Sequence, residues 1–213
     1  MHFHQMVGSI EIVCGSMFSG KTEELLRRVK RAQIARQKVQ VFKPLIDDRY
    51  SLDHVQSHNA ARVPSIPVQN AKEILEKMDD NTRVVGIDEV QFFDKEIVDV
   101  VQKLAYRGIQ VVCAGLDMDF RGLPFGPMAD LMCVAEKVTK LQAVCMVCAA
   151  PATRSQKVFS DQGQNENQID LGAHDKYEAR CRFCHEPEGV HFPAHQIGLR
   201  HARNEDSTNE EVI

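Results

Sequence analysis

The chain has 213 residues, enough for one or two domains whose core needs no disulfides. Its 26 basic residues are outnumbered by 30 acidic ones, a net charge of −4, which argues against bulk binding to nucleic acid. No apolar run reaches the ~18 residues of a membrane span. The opening MHFHQMVGSIEIVCG lacks the sections of a signal peptide, so a reducing cytoplasm is expected.

Ile10 to Cys14 reads as a short apolar strand that runs into a glycine-bounded turn and a long helix from Thr22 to Arg36. Val39 to Phe42 reads as the next strand. Lys43 to Ser65 carries Pro44 and Pro64 and little periodicity, so a long loop is expected. Asn70 fits the cap of a helix through Met78, with Ala71, Ile74, Leu75 and Met78 on one face. Arg83 to Ile87 is a strand that ends at Asp88. Asp94 fits the cap of a helix that buries Ile97, Val98, Val101, Leu104 and Ala105 and stops at Gly108. Ile109 to Ala114 is another buried strand. Apolar strands separated by helices imply an α/β fold, a parallel sheet covered on both faces.

The character of the chain changes after about Lys140. Two CxxC pairs bracket a polar stretch, and from Glu188 onward the chain is polar and His-rich. The expected division is a nucleotide-binding α/β domain over 1–140, a small metal-binding unit over 141–188 and a disordered tail over 189–213.

Gly15-Ser16-Met17-Phe18-Ser19-Gly20-Lys21-Thr22 fits GxxxxGK[ST]. The glycines let the backbone curl so that its N–H groups point at phosphate oxygens, and the following helix aims its positive end at the same place. Lys21 can reach the β- and γ-phosphates, and the Thr22 hydroxyl can ligate Mg²⁺. A glycine turn before an exposed lysine would give the same letters. The strand before and the helix after favour the phosphate loop.

Asp88 and Glu89 close a strand predicted to lie beside that loop. Asp88 suits the Mg²⁺ shell, which leaves Glu89 free to take a proton from an attacking hydroxyl. Alone, the pair would read as solvated turn residues. Phe92 and Phe93 follow, either as the floor of a pocket for a flat ligand or as core. Cys145, Cys148, Cys181 and Cys184 have the spacing of a structural four-thiolate zinc site that fastens both ends of the segment between them. A redox couple is the other reading of a CxxC, and His185 is a possible substitute ligand. Cys14, Cys113 and Cys133 are expected to be buried small hydrophobes.

Four ordered blocks now stand together: Gly15 to Thr22; Asp88-Glu89-Val90-Gln91-Phe92-Phe93; Gly115 to Gly126, reading GLDMDFRGLPFG; and the two CxxC pairs that enclose Gly172-Ala173-His174-Asp175-Lys176-Tyr177. Over about residues 8 to 187 the chain resembles the type II thymidine kinases, its bacterial members above all. The resemblance implies a P-loop parallel sheet flanked by helices, with a small C-terminal zinc-ribbon-like domain that carries a lasso loop. It implies ATP-dependent phosphorylation of thymidine, and of deoxyuridine, at the 5′-hydroxyl.

Carried over by position, Gly15, Ser16, Met17, Phe18, Ser19, Gly20, Lys21 and Thr22 bind ATP together with Asp88, Glu89, Val90 and Gln91. Lys21 and Glu89 are the catalytic residues, Glu89 as general base. Thr22 and Asp88 hold Mg²⁺. Met17, Phe92, Leu116, Phe120 and Phe125 line the thymine pocket. Ile169, Asp170, Leu171, Gly172 and Ala173 form part of the lasso, while Tyr177 and Ser155 approach the nucleoside. Arg49 matches a basic position assigned here to phosphate, with a surface salt bridge as the alternative. The resemblance further implies a homotetramer and feedback inhibition by dTTP, with no nucleic-acid or membrane partner.

A zinc-ribbon nucleic-acid-binding ATPase would also use both motifs. It calls for a basic ribbon and stacking aromatics, and residues 145–188 are mixed in charge. A signalling GTPase would need an Asn-Lys-x-Asp element, which the sequence lacks.

Overall fold

The computed structural model describes residues 8–45, 54–56, 62–158 and 176–186. Arg49, the stretch Ile169 to Ala173 and the tail from 189 lie outside them.

β1 (Ser9–Gly15) leads into α1 (Lys21–Ile34) and β2 (Val39–Pro44). Then come β3 (His54–Gln56), β4 (Arg62–Pro64), β5 (Ile66–Val68), α2 (Lys72–Glu76) and β6 (Val84–Ile87). α3 (Glu96–Tyr106), β7 (Gln110–Gly115), α4 (Met128–Val134) and β8 (Lys137–Leu141) complete the larger part. Six strands form one sheet in the order β5-β2-β6-β7-β1-β8. Every neighbouring pair in it is parallel. The expected α/β class with a parallel sheet therefore holds.

Alternation along the strands sorts the core into two faces. Ile10, Ile12 and Cys14 of β1, with Val85 and Ile87 of β6 and Val111 and Cys113 of β7, pack with Ile74, Ile97, Val101, Leu104 and Leu131 of α2, α3 and α4. Val13, Val41, Val112 and Ala114 pack on the other face with Leu25, Leu26 and Val29, the apolar stripe of α1. Val100 joins the α3 stripe that the sequence pattern gave to Val98, which is only partly buried.

Three expectations need correction. The long loop over 43–65 contains β3 and β4, which pair antiparallel, and its end is followed by a sixth sheet strand, β5. Three-residue strands are too short for alternation to show in sequence. α2 covers only Lys72–Glu76, although the Asn70 side chain does accept the Glu73 N–H at 3.2 Å. Cys133 is exposed. α4 buries Met128 and Leu131, three apart, and Cys133 falls off that stripe. Cys14 and Cys113 are buried as expected.

Four short strands finish the described fold. β9 (Ala143–Val144) pairs antiparallel with β10 (Pro151–Ala152), and β11 (Arg154–Lys157) with β12 (Tyr177–Arg180). Their shared core is small: Ala143, Ala152, Ala179, Cys145 and Cys181.

Candidate active site and cysteine cluster

The turn between β1 and α1 is shaped by two residues without side chains. Gly15 has φ 146°, and a Cβ there would lie 2.5 Å from the Leu141 carbonyl oxygen and 2.8 Å from Ser19 Oγ. Gly20 has φ 83° and caps α1. Phe18, at φ 63°, takes a left-handed conformation between them. Lys21 Nζ reaches back across the loop and donates to the Ser16 carbonyl at 2.8 Å, and Ser19 Oγ donates to the same oxygen at 2.8 Å. Lost hydration pulls the Lys21 pKa down, and the Glu89, Asp88 and Asp117 carboxylates oppose that shift. Lys21 thus sits at the mouth of a curled loop beside a cluster of acids.

β6 ends on Ile87, and the chain then turns sharply. Asp88 is buried, and its Oδ2 accepts from Thr22 Oγ1 at 3.3 Å. Its Oδ1 accepts the Glu89 N–H at 3.0 Å. Burial, then the neighbouring Glu89, pushes the Asp88 pKa up to about 7. Thr22 and Asp88 together have the hard oxygen donors and the position that Mg²⁺ bound to a polyphosphate would use. Glu89 stands at φ 51°, exposed, at the start of a 3₁₀ turn over Val90–Phe92. The turn aims one acid inward and leaves the next open to a ligand.

The segment after β7 lies against that turn. Leu116 donates its N–H to Gln91 Oε1 at 3.0 Å. Phe92 and Phe125 meet edge to face, with ring centroids 5.5 Å apart. Phe93 is buried in the core instead, so only one of the two aromatics faces this segment. Phe120 is half-buried, with Arg121 and Lys157 over its ring at 5.8 and 5.5 Å. Asp119 holds the segment in shape by accepting from the backbone N–H groups of Arg121 and Leu123. Asp117, buried beside the phosphate loop, takes a salt bridge from Lys140 of β8 at 2.6 Å. Neither Asp117 nor Lys140 stood out in sequence. The signal was there in an acid two residues past an apolar strand, close to the arrangement of Asp88, which follows β6 directly.

The cysteine unit closes on the loop from the other side. Met17 donates its N–H to Ser155 Oγ at 3.0 Å, and Ser16 Oγ donates to the Ala152 carbonyl at 3.4 Å. Met17 and Ser155 therefore meet across 138 positions of chain, and Ser16 and Ala152 across 136. Tyr177 opens β12, half-buried, opposite Lys157.

The Sγ atoms of Cys145, Cys148, Cys181 and Cys184 all lie within 4.8 Å of one another, those of Cys148 and Cys181 at 3.6 Å. Zn–S bonds of ~2.3 Å at tetrahedral angles place sulfurs nearly 4 Å apart. Four soft thiolates at that spacing fit Zn²⁺. Each CxxC is a tight turn: Ala149 N–H returns to the Cys145 carbonyl at 2.9 Å, and His185 N–H to the Cys181 carbonyl at 3.1 Å. His185 is no substitute ligand. Its Nε2 lies 2.8 Å from the Phe120 carbonyl, outside the sulfur cluster.

No helix among the described residues is long and apolar enough to cross a membrane. Among solved structures, the X-ray structure of the Legionella pneumophila ATPase DotB aligns at 14% identity with a TM-score of 0.36. The alignment covers 61% of this chain and 36% of that one, and a likeness so slight carries no argument. A family model described as thymidine kinase matches residues 8–185. That span takes in the phosphate loop, both acids, the segment after β7 and all four clustered cysteines.

Proposed function

Because the chain belongs to the thymidine kinase family, we propose that it transfers the γ-phosphoryl group of Mg·ATP to the 5′-hydroxyl of thymidine, and of deoxyuridine, giving the 5′-monophosphate and ADP. The observation that carries this reading is the exposed carboxylate of Glu89, one residue from an Asp88–Thr22 pair at the foot of the phosphate loop.

The loop backbone and Lys21 would bind the donor's phosphates, with Lys21 exchanging its bond to the Ser16 carbonyl for a phosphate oxygen. Thr22 and Asp88 would hold Mg²⁺, which when bound supplies charge neutralisation at the transferring group. Glu89 would accept the 5′-hydroxyl proton. Met17, Leu116, Phe120, Phe125 and Phe92 would line the base pocket, with the stretch Ile169 to Ala173 and Tyr177 over it. The cysteine unit, divided from the sheet near residue 140, would hold Zn²⁺ as a closed structural site that brings Ser155 and Tyr177 to the nucleoside. A homotetramer restrained by dTTP belongs to the same proposal, as does a reducing cytoplasmic setting, in which the free thiols would stay reduced.

A panel of nucleosides with Mg·ATP tests the reading. Thymidine and deoxyuridine are expected to be phosphorylated and purine nucleosides to be ignored. Glu89→Gln should lose ~10²–10⁴-fold in kcat while keeping ATP affinity, the usual worth of a general base. Equal turnover by variant and parent would reject the role of Glu89.

A further inference from the structure

We propose that Gln91 is a positioning residue, whose side-chain amide ties the Glu89 carboxylate to the backbone of Leu116 and so aims the base. The inference rests on the reading of Glu89 as general base and adds a residue that acts through it.

Gln91 is 2% exposed, yet both ends of its amide are engaged. Nε2 donates to Glu89 Oε2 at 2.5 Å, and Oε1 accepts the Leu116 N–H at 3.0 Å. A backbone N–H can only donate, so the amide oxygen has to face Leu116 and the NH₂ has to face Glu89. The amide cannot flip without losing both bonds. Its seat exists because residue 115 has no side chain: a Cβ there would lie 2.6 Å from Gln91 Oε1. Gly126 closes the other side, where a Cβ would lie 2.2 Å from the Gln91 carbonyl oxygen. The two ends of the 115–126 segment thus clasp Gln91.

Glu89 needs such a hold. It is exposed, and its left-handed φ of 51° is one that non-glycine residues keep only where neighbours impose it. Asp88 Oδ1 fixes its N–H, and Gln91 fixes one carboxylate oxygen. The second oxygen remains to take the proton from the acceptor hydroxyl. Leu116, which holds the amide, belongs to the same segment as Phe125, which meets Phe92. A carboxylate free to rotate would miss the hydroxyl by more than an ångström, a displacement that costs ~10²-fold.

Thymidine phosphorylation is measured in the parent, Gln91→Leu, Gln91→Glu, Glu89→Gln and the Gln91→Leu/Glu89→Gln double variant. We expect kcat to fall ~10²-fold in both Gln91 variants. In the double variant the Gln91 change should add less than about twofold to the loss from Glu89→Gln alone, since nothing is left to aim. A merely structural role would multiply the two losses. Should neither Gln91 variant fold, the side-chain amide ¹⁵N signal of Gln91 decides: it should be protected from exchange in the parent and released in Glu89→Ala. Unchanged kcat, multiplied losses, or an amide signal indifferent to Glu89 overturns the inference while the kinase reading stands. A parent inactive on every pyrimidine deoxynucleoside overturns both.

Discussion

The sheet and the cysteine unit hold together by different means. The sheet buries two faces of branched and aromatic side chains, from Ile12 and Phe42 to Leu104 and Leu131. The cysteine unit has three buried alanines and two buried cysteines. Alanine pays little entropy on burial and returns little hydrophobic gain. Such a core cannot order two hairpins by itself, and four sulfurs around one ion can. Yet the weaker unit touches the phosphate loop through Ser155 and Ala152, and the 115–126 segment through His185. One region rests on a large apolar core and the other has four cysteines that could hold an ion, and the candidate site lies where they meet.

Metal removal should have the largest effect, and on the cysteine unit alone. In chelator, amides of 143–158 and 176–186 should exchange freely while those of β1, β6 and β7 stay protected, and thymidine phosphorylation should fall to background. Hydrogen exchange read by mass spectrometry checks it. Loss of protection in β7 at the same rate would mean that the two regions are one cooperative unit.

A pH titration sharpens the sheet side. Asp88 is pushed up to about 7 in the folded protein, whereas an unfolded aspartate ionises near ~3.9. Between those values the folded state holds a proton that the unfolded chain has released. Stability of the ligand-free protein should therefore fall as pH rises from about 4 to about 7, and level off above. Mg²⁺ needs the ionised carboxylate, so Mg-dependent nucleotide affinity should weaken below pH 7, approaching tenfold per unit. Thermal melts with and without Mg·ATP at pH 6 and pH 8 test both signs. A larger nucleotide-induced shift at pH 6 would contradict them.

The smallest effect concerns the seam. Ser155→Ala removes the acceptor of the Met17 N–H, a neutral hydrogen bond worth ~1 kcal/mol. KM for ATP should rise by about fivefold, with the sheet's melting temperature unchanged. An unaltered KM would show that the seam does not shape the loop.

The phosphate loop was legible because glycine, lysine and threonine at fixed spacing have few other uses, and the strand and helix around it followed from apolar periodicity. Asp88 and Glu89 were legible as a pair. The sequence already assigned the metal to Asp88 and the base to Glu89; the geometry that parts them, one side chain bonded to Thr22 and the other exposed at a left-handed backbone, was not legible. Gln91 was read as a nucleotide contact; the partners it has, Glu89 and Leu116, lie on two different strands' ends. β5 and β8 escaped detection because one is three residues long and the other, KVTKL, is a largely exposed sheet edge rich in lysine.

The α/β class, the curled glycine loop and the grouping of four cysteines could be read from local spacing: two for strands, 3.6 for helices, three between paired cysteines. The fold alone shows Asp88 meeting Thr22, Phe92 rather than Phe93 meeting Phe125, and the cysteine unit leaning on the loop through Ser155. Those outcomes depend on contacts between residues as much as 138 positions apart, and no local pattern encodes a direction across that distance.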